Sequence, residues 1–140
     1  MNWWLVALGG ALGTLGRHGL GEFVAYPGAP AWPWATFAIN LTGSLALGLV
    51  YGWTGRRLAQ STNMHDAARP ARADPRRPAA QVGRLADARL FLGPGVLGGF
   101  TTYSAFSVEV LELLRAGALA TGLGYALASA LGGMALAAVG

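Results

Sequence analysis

Long apolar stretches alternate with short polar or proline-rich stretches along the chain. Three windows of about 20 residues contain no charged residue, and about 20 predominantly apolar residues is the length that a membrane-spanning helix needs. The apolar pattern of the middle window continues past Glu109 to Leu114. The pattern predicts membrane-spanning helices at about 34–53, 90–114 and 116–139.

A fourth apolar segment lies at about 3–24. It is uncharged as far as Gly16 but then carries Arg17, His18 and Glu22, so its second half must face protein or water. No basic residue precedes its apolar run, whereas a cleaved signal peptide normally has such residues. We therefore expect a first helix that is retained.

Residues 54–89 break the apolar pattern with a polar, arginine-rich segment. They contain eight Arg, three Asp and three Pro, for a net charge of +5. Such a composition is too polar to bury a core and is typical of a flexible or marginally helical loop. Arginine-rich loops stay on the cytoplasmic side, so we expect this loop, and with four spans also both termini, to be cytoplasmic. The predicted fold is an all-α membrane protein with one four-helix domain over 1–140.

Composition agrees with a membrane protein and removes several other classes. Hydrophobic residues make up 54% of the 140 residues and charged residues 11%, with a mean hydropathy of +0.43, whereas soluble domains carry roughly 25% charged residues. The arginines are concentrated in one loop, which argues against nucleic-acid binding. The absence of Cys excludes disulfides and thiolate zinc sites. All three Asp lie in the loop and no H-E-x-x-H motif is present, which argues against an intramembrane protease, and we expect the protein not to be an enzyme.

Polar side chains recur at helical spacing inside two of the predicted spans. Thr36, Asn40 and Ser44 fall on one face of the second helix, and Tyr125 and Ser129 fall on one face of the fourth. An unpaired polar group in hydrocarbon is costly and must find a partner or water. These stripes indicate either contacts between helices or a polar path through the membrane.

The third span carries a different signal. Residues 98–104 place two Gly and several hydroxyl side chains in the middle of the predicted span, which predicts a break in the helix. Irregular backbone at membrane depth is tolerated where it is buried in protein or lines a cavity, and the carbonyls released there are ready cation ligands.

Small residues also follow a helical spacing. Gly9, Gly13, Gly16 and Gly19 recur along the first segment, and similar runs occur in two other segments, at Ser44, Gly48 and Gly52 and at Gly124, Ala128 and Gly132. Small residues let helix backbones approach closely. We expect close packing along these faces.

Taken together, these motifs resemble those of the CrcB/Fluc family of fluoride channels. Residues 9–17 resemble the family's GGxxGxxxR opening, and residues 36–44 are similar to its T-x-x-x-N-x-x-G-S motif. Residues 98–109 are similar to GGxTTFSTFSxE, the most specific of the three. The resemblance covers most of the chain.

The resemblance implies a dimer of two antiparallel four-helix subunits, with two fluoride pores at their interface and a structural sodium ion at the dimer axis. The channel would let cytoplasmic fluoride leave passively, down its electrochemical gradient. The main-chain carbonyls of Gly98 and Thr101 from both subunits would bind the sodium, and Arg17 would supply positive potential near a vestibule. The implied pore residues are Asn40 as a donor to fluoride, Tyr103 and Phe106 as paired aromatic rings, and Ser104, Tyr125 and Ser129 as a polar track.

Some positions depart from the family pattern. Tyr103 stands where the family usually has Phe, Ala105 replaces a Thr, and Gly133 replaces a hydroxyl residue. The arginine-rich loop should fix the orientation of the chain, whereas an antiparallel homodimer needs both orientations. The partner is therefore either a second copy or, as we hypothesise, a paralogue of opposite orientation.

Two other functions and one purely structural role for Asn40 remain open at this point. A proton-coupled small multidrug transporter is also a four-helix protein, but it needs an acidic residue in the middle of its first helix, where this chain has Arg17. A non-conducting membrane assembly subunit would use the glycine faces alone. Asn40 would then only join helices by hydrogen bonds. The sequence also leaves open whether the acidic neighbour of Arg17 is Glu109 or Glu22.

Overall fold

The computed structural model describes residues 2–24, 32–67 and 76–140, and these residues are helical almost throughout. The third helical segment is composite: a π-helical turn joins α3 to the single turn α4, and two extended residues separate α4 from α5. The elements are α1 (Trp3–Val24), α2 (Trp34–Ala67), α3 (Arg76–Leu90), the π-helical turn (Phe91–Leu97), α4 (Gly98–Phe100), α5 (Tyr103–Arg115) and α6 (Leu119–Val139). The chain is thus all-α, with four long helical segments.

Two of the described helices are long and apolar enough to cross a membrane by length and composition, namely Trp34–Gln60 and Leu119–Val139. The other two predicted spans differ from them in ways that the sequence explains. The second half of α1 carries charged residues, and the third segment is divided by the π-helical turn and the extended residues.

The arginine-rich segment 54–89, which the sequence assigns to a loop, is largely helical where the structure describes it. The helix α2 continues to Ala67, and α3 begins at Arg76. Arg, Ala, Leu and Gln dominate these stretches and are all good helix formers. Two contacts anchor α3: the Arg89 guanidinium carbon lies 3.9 Å from the centroid of the Tyr51 ring, and the Asn2 side-chain amide donates to the Asp87 carboxylate at 2.5 Å.

The π-helical turn coincides with Gly93, Pro94 and Gly95. A proline inside a helix has no N–H to donate, and its ring clashes with the carbonyl of the residue four positions before it, here Leu90. The wider turn relieves that clash, and the two flanking glycines are buried. The Gly and hydroxyl residues at 98–104 predict the break, whereas this turn is not predicted, although the Gly-Pro-Gly run is its signal.

The first helix packs closely against this turn through two of its glycines. A Cβ at Gly9 would lie 2.5 Å from the Phe91 carbonyl oxygen, and one at Gly13 would overlap the Val96 carbonyl oxygen. Farther along the same helix the contact opens, because a Cβ at Gly19 would meet no atom within 4 Å. Close packing is therefore confirmed for the first half of the glycine stripe and not for its end.

The helices α2 and α6 pack through small residues as expected. A Cβ at Gly48 would overlap the Ala137 carbonyl oxygen, and one at Gly132 would lie 3.1 Å from the Leu41 side chain. A Cβ at Gly133 would lie 3.3 Å from the Ser44 hydroxyl oxygen. Gly133 stands where the family pattern has a hydroxyl residue, and the Ser44 side chain of α2 places a hydroxyl next to this position.

The outer surface is apolar, as a lipid environment requires. The leucines at positions 8, 12 and 15 of α1 and at positions 123, 127 and 131 of α6 are all more than half exposed. Among the described residues, the buried apolar side chains are Ile39, Leu113 and Tyr125. A soluble monomer rarely exposes apolar surface on this scale, so these faces suit lipid chains or another subunit.

Gly13→Ala tests the contact between α1 and the π-helical turn. The added methyl group would overlap the Val96 carbonyl, and overpacking of this kind costs about 1–3 kcal/mol. We expect a lower midpoint of thermal unfolding in detergent. Gly19→Ala is the matched control, since its methyl group enters open space; an equal loss of stability in both variants would contradict the close contact.

Candidate functional site

The helix break lies at Thr101 and Thr102, which have extended backbone conformations with φ/ψ of −75°/157° and −146°/115°. The Thr102 N–H, which a continuous helix would direct to Gly98, donates instead to Asn40 Oδ1 at 2.8 Å. Asn40 Nδ2 in turn donates to the Thr102 carbonyl at 3.1 Å. A single side-chain amide on α2 therefore satisfies both backbone groups of one extended residue.

Threonine hydroxyls complete the two helix ends at the break. Thr102 Oγ1 accepts the Ala105 N–H at 3.2 Å and so caps α5. Thr101 Oγ1 donates to the Leu97 carbonyl at 2.9 Å, which also accepts the Thr101 N–H. These local bonds replace the helical ones that the break removes.

The redirected donors release two carbonyls. A continuous helix would direct the Thr102 N–H to Gly98 and the Ala105 N–H to Thr101, but these donors are bound to Asn40 and to the Thr102 hydroxyl. The carbonyls of Gly98 and Thr101, which the family resemblance assigns to sodium, are therefore two carbonyls whose helical donors are used elsewhere. Oxygen ligands of this kind suit a hard cation such as sodium.

A cavity of about 470 Å³ opens beside the break. Its walls come from α2, the π-helical turn, the break, α5 and α6. Six of the predicted site residues line it, namely Asn40, Gly98, Thr101, Tyr103, Phe106 and Ser129. Ser44, Tyr51, Gly93 and Pro94 line it as well. The sequence-predicted residues thus meet around one space although they lie on three separate helical segments.

The remaining predicted residues lie outside the cavity wall. Ser104 is exposed at the start of α5, with its Oγ 3.2 Å from Thr102 Oγ1. Tyr125 is fully buried on α6, and Arg17 is half-buried on α1. The structure adds Arg89, whose guanidinium lies over the ring of the cavity residue Tyr51. From the sequence alone, Arg89 is expected only as one of the charges of the arginine-rich segment.

Glu109 is engaged by two hydroxyl groups. Thr36 Oγ1 donates to its Oε1 at 2.6 Å, and the Tyr125 hydroxyl donates to its Oε2 at 2.8 Å. Glu109 is one of the two candidate partners for Arg17, and each of its two oxygens accepts a hydrogen bond from a hydroxyl, one on α2 and one on α6. The sequence signal for this cluster is one acidic residue inside an apolar segment. Ionisable residues at such positions are rare and usually mark a functional site.

Aromatic rings form a continuous line through the site. Tyr103, which is 81% exposed, lies 5.9 Å from Phe106 between ring centroids, and Phe106 lies 5.4 Å from Tyr125. Tyr125 continues the line to Trp32 at 5.5 Å with the rings near perpendicular. Because ring edges are positively polarised, such a line offers edges to an anion.

Ser129 differs from the other hydroxyl residues of the site. Its Oγ is buried and has no hydrogen-bond partner among the described residues, although the residue lines the cavity. A buried hydroxyl without a partner is costly. It is therefore available to a ligand that enters the cavity.

Comparison with known proteins agrees with this architecture. The family described as "CrcB-like protein, Camphor Resistance (CrcB)" matches residues 4–140. Proteins named fluoride-specific ion channel FluC are similar over most of the chain. The one from Hyphomonas neptunium is 45% identical over 114 residues, covering 81% of this chain and 71% of its own. The one from Agrobacterium fabrum is 38% identical over 125 residues, covering 89% and 81%.

A third relative extends the match almost to full length. A FluC protein of Thermus thermophilus is 38% identical over 136 residues, covering 97% of this chain and 87% of its own. Similarity of this extent places the chain among membrane proteins of one family. The chain belongs to the CrcB family, which is a family of fluoride ion channels and not of enzymes.

Proposed function

We propose that this chain forms a fluoride-selective channel through which cytoplasmic fluoride leaves a bacterial cell passively. One observation carries the proposal: Asn40 holds an interrupted helix beside a cavity of about 470 Å³ that is lined by amide, hydroxyl and aromatic groups. Fluoride is small and strongly hydrated, so a pore must replace its water with donors. This cavity supplies donors of three kinds.

Asn40 and Ser129 are the proposed direct donors. The Asn40 amide has two N–H groups, of which one is donated to the Thr102 carbonyl, so the other is left for an anion. The Ser129 hydroxyl has no partner in the described part of the fold. Ser104, at the start of α5, is proposed to extend this polar track.

Tyr103, Phe106 and Tyr125 are the proposed aromatic contribution to the pore. Their rings follow one another at 5.9 Å and 5.4 Å, and each ring edge carries partial positive charge. Chloride is larger and holds its water less tightly, so a narrow path of this kind favours fluoride. Arg17 is proposed to add positive potential near a vestibule.

Passive movement follows from the chemistry of the site, which needs no reaction to move an anion. An interior-negative membrane potential drives anions outward by about 2.3 kcal/mol per elementary charge per 100 mV. The arginine-rich segment 54–89 and both termini are proposed to be cytoplasmic. Net fluoride efflux through an open path then requires no coupled ion.

The carbonyls of Gly98 and Thr101 are proposed to hold a structural sodium ion. Each chain supplies two such carbonyls, because the Thr102 and Ala105 N–H groups are donated elsewhere. Two chains in antiparallel orientation would supply four. When bound, the ion would neutralise these carbonyl dipoles and hold two subunits together at their helix breaks.

The second subunit is proposed to pack over the open side of the cavity, where Tyr103 is 81% exposed. Its identity divides into two cases. A second copy in the opposite orientation gives a homodimer, and a paralogue with the opposite charge bias gives a heterodimer. The arginine-rich segment favours the heterodimer because it opposes insertion in both orientations.

Fluoride efflux from liposomes containing this protein alone tests the function. We expect rapid loss of fluoride, read with a fluoride electrode, and no loss of chloride. Efflux from the single protein would support the homodimer. If no fluoride leaves, co-expression with an oppositely oriented paralogue is the next arm, and a pair that also fails to conduct would contradict the channel.

Phe106→Ile tests the aromatic edge. Isoleucine keeps much of the bulk but removes the polarised ring, so we expect fluoride flux to fall by about tenfold or more, with unchanged elution on size exclusion. Phe23→Ile is the control, because Phe23 is 89% exposed on α1. Flux in Phe106→Ile equal to that of the control would remove Phe106 from the path.

Asn40→Asp tests the amide. The carboxylate cannot donate to the Thr102 carbonyl and places a negative charge on an anion path, so we expect fluoride flux to fall by about tenfold or more. Thr42→Val is the control, because the Thr42 hydroxyl bonds carbonyls of its own helix. Normal conduction by Asn40→Asp in the liposome assay would contradict the role given to Asn40.

A further inference from the structure

Trp32 has a buried indole N–H to which the described fold offers no acceptor. In the part of the chain that the structure describes, the buried side-chain polar atoms in this condition are Trp32 Nε1 and Ser129 Oγ. A buried donor without a partner destabilises the fold by the free energy of removing that donor from water. Buried polar atoms without partners are therefore rare in native folds. An indole N–H is a donor and never an acceptor, so the missing partner must be an acceptor.

Packing fixes the direction of this ring. The Trp32 ring meets the Phe37 ring at 5.3 Å and the Tyr125 ring at 5.5 Å, both nearly perpendicular. A Cβ at Gly124 would lie 3.8 Å from its Cζ3 atom, so α6 approaches the ring closely here. Because α2 and α6 both hold the ring, the indole N–H cannot turn outward without losing these contacts.

Tyr125 connects Trp32 to the proposed fluoride path. Its ring contacts Phe106 at 5.4 Å on one side and Trp32 at 5.5 Å on another. Ser129 lies one helical turn farther along α6 and lines the cavity. The two donors without partners therefore belong to residues near Tyr125, one in ring contact with it and the other one helical turn farther along α6.

The nearby carboxylate does not serve as the acceptor for Trp32. Both oxygens of Glu109 accept hydroxyl hydrogens, one from Thr36 and one from Tyr125. The fold thus brings two hydroxyl donors to Glu109, and the indole N–H is not among the donors to this carboxylate. An acceptor that arrives from outside the described fold is needed.

We propose that the Trp32 indole N–H is a fluoride-binding donor, which forms an anion site beside the Tyr125 ring. The proposal rests on the channel function proposed above. Hydrogen bonds to an ionised acceptor are about twice as strong as neutral ones, so a compact anion gains most from a donor that has already lost its water. A cation gains nothing from the N–H, which is a donor and has no lone pair to offer.

Trp32→Phe removes the N–H and keeps an aromatic ring against Tyr125 and Phe37. We expect its fluoride flux in liposomes to be about three- to tenfold lower than that of the unaltered protein. Trp34→Phe is the matched control, because Trp34 belongs to the same aromatic group, 5.8 Å from Trp32, but is 57% exposed. Its flux should stay within about twofold of the unaltered value.

A second measurement follows the N–H itself. The protein with ¹⁵N-labelled tryptophan is titrated in micelles with sodium fluoride and, separately, with sodium chloride. The Trp32 indole resonance, assigned by its loss in Trp32→Phe, should move downfield with fluoride and not with chloride. The Trp34 resonance should not move.

The outcomes separate this site from the channel. A fluoride-specific shift together with slower flux in Trp32→Phe supports the site. Slower flux without a shift overturns it, because ring packing would then explain the loss, and a shift without a change in flux overturns its place on the path. An equal shift with chloride overturns its selectivity. If the unaltered protein carries no fluoride but the indole shifts with fluoride, the channel fails and the binding donor stands.

Discussion

An extended residue inside a helical membrane protein has an N–H and a carbonyl that its own helix does not satisfy, and here one asparagine satisfies both. Asn40 and Thr102 exchange two hydrogen bonds, of 2.8 and 3.1 Å, across 62 positions of sequence. In a medium without water, each unsatisfied backbone group would cost several kcal/mol. The break is therefore tolerated because α2 passes beside it and places the Asn40 side-chain amide level with Thr102.

Other features of the fold follow from this exchange. With Thr102 N–H held by Asn40, the Gly98 carbonyl loses its helical donor, and the Thr102 hydroxyl is positioned to cap α5. On the opposite side, Gly9 and Gly13 let α1 approach the turn that contains Pro94. The segment that carries the break is thus held by α1 on one side and by α2 on the other, which gives irregular backbone a fixed geometry.

Periodicity predicts the positions of the helices and of the break, but not the contacts that depend on neighbours distant in sequence. The spacing of Thr36, Asn40 and Ser44 shows that they share a face, yet nothing local shows that Thr36 meets Glu109 while Asn40 meets Thr102. The sequence offers Glu109 as an acidic partner for Arg17, and it does not reveal that the hydroxyls of Thr36 and Tyr125 donate to this carboxylate. Hydroxyl side chains are uncharged, so the sequence contains no pattern of opposite charges that would identify Thr36 and Tyr125 as partners of Glu109.

The difference between paired and unpaired donors explains how this site could hold an anion briefly. The hydroxyls of Thr36 and Tyr125 are bound to Glu109 and hold the helices together. Within the described residues, the Ser129 hydroxyl and the Trp32 indole N–H are buried without partners, so their water has been removed during folding. An entering anion could accept a hydrogen bond from each of these donors without displacing a protein acceptor. Each donor offers only one hydrogen bond, so the anion would be held weakly at each. Weak binding at successive donors is what conduction requires, and in the proposed path the unpaired donors beside Tyr125 would meet that requirement.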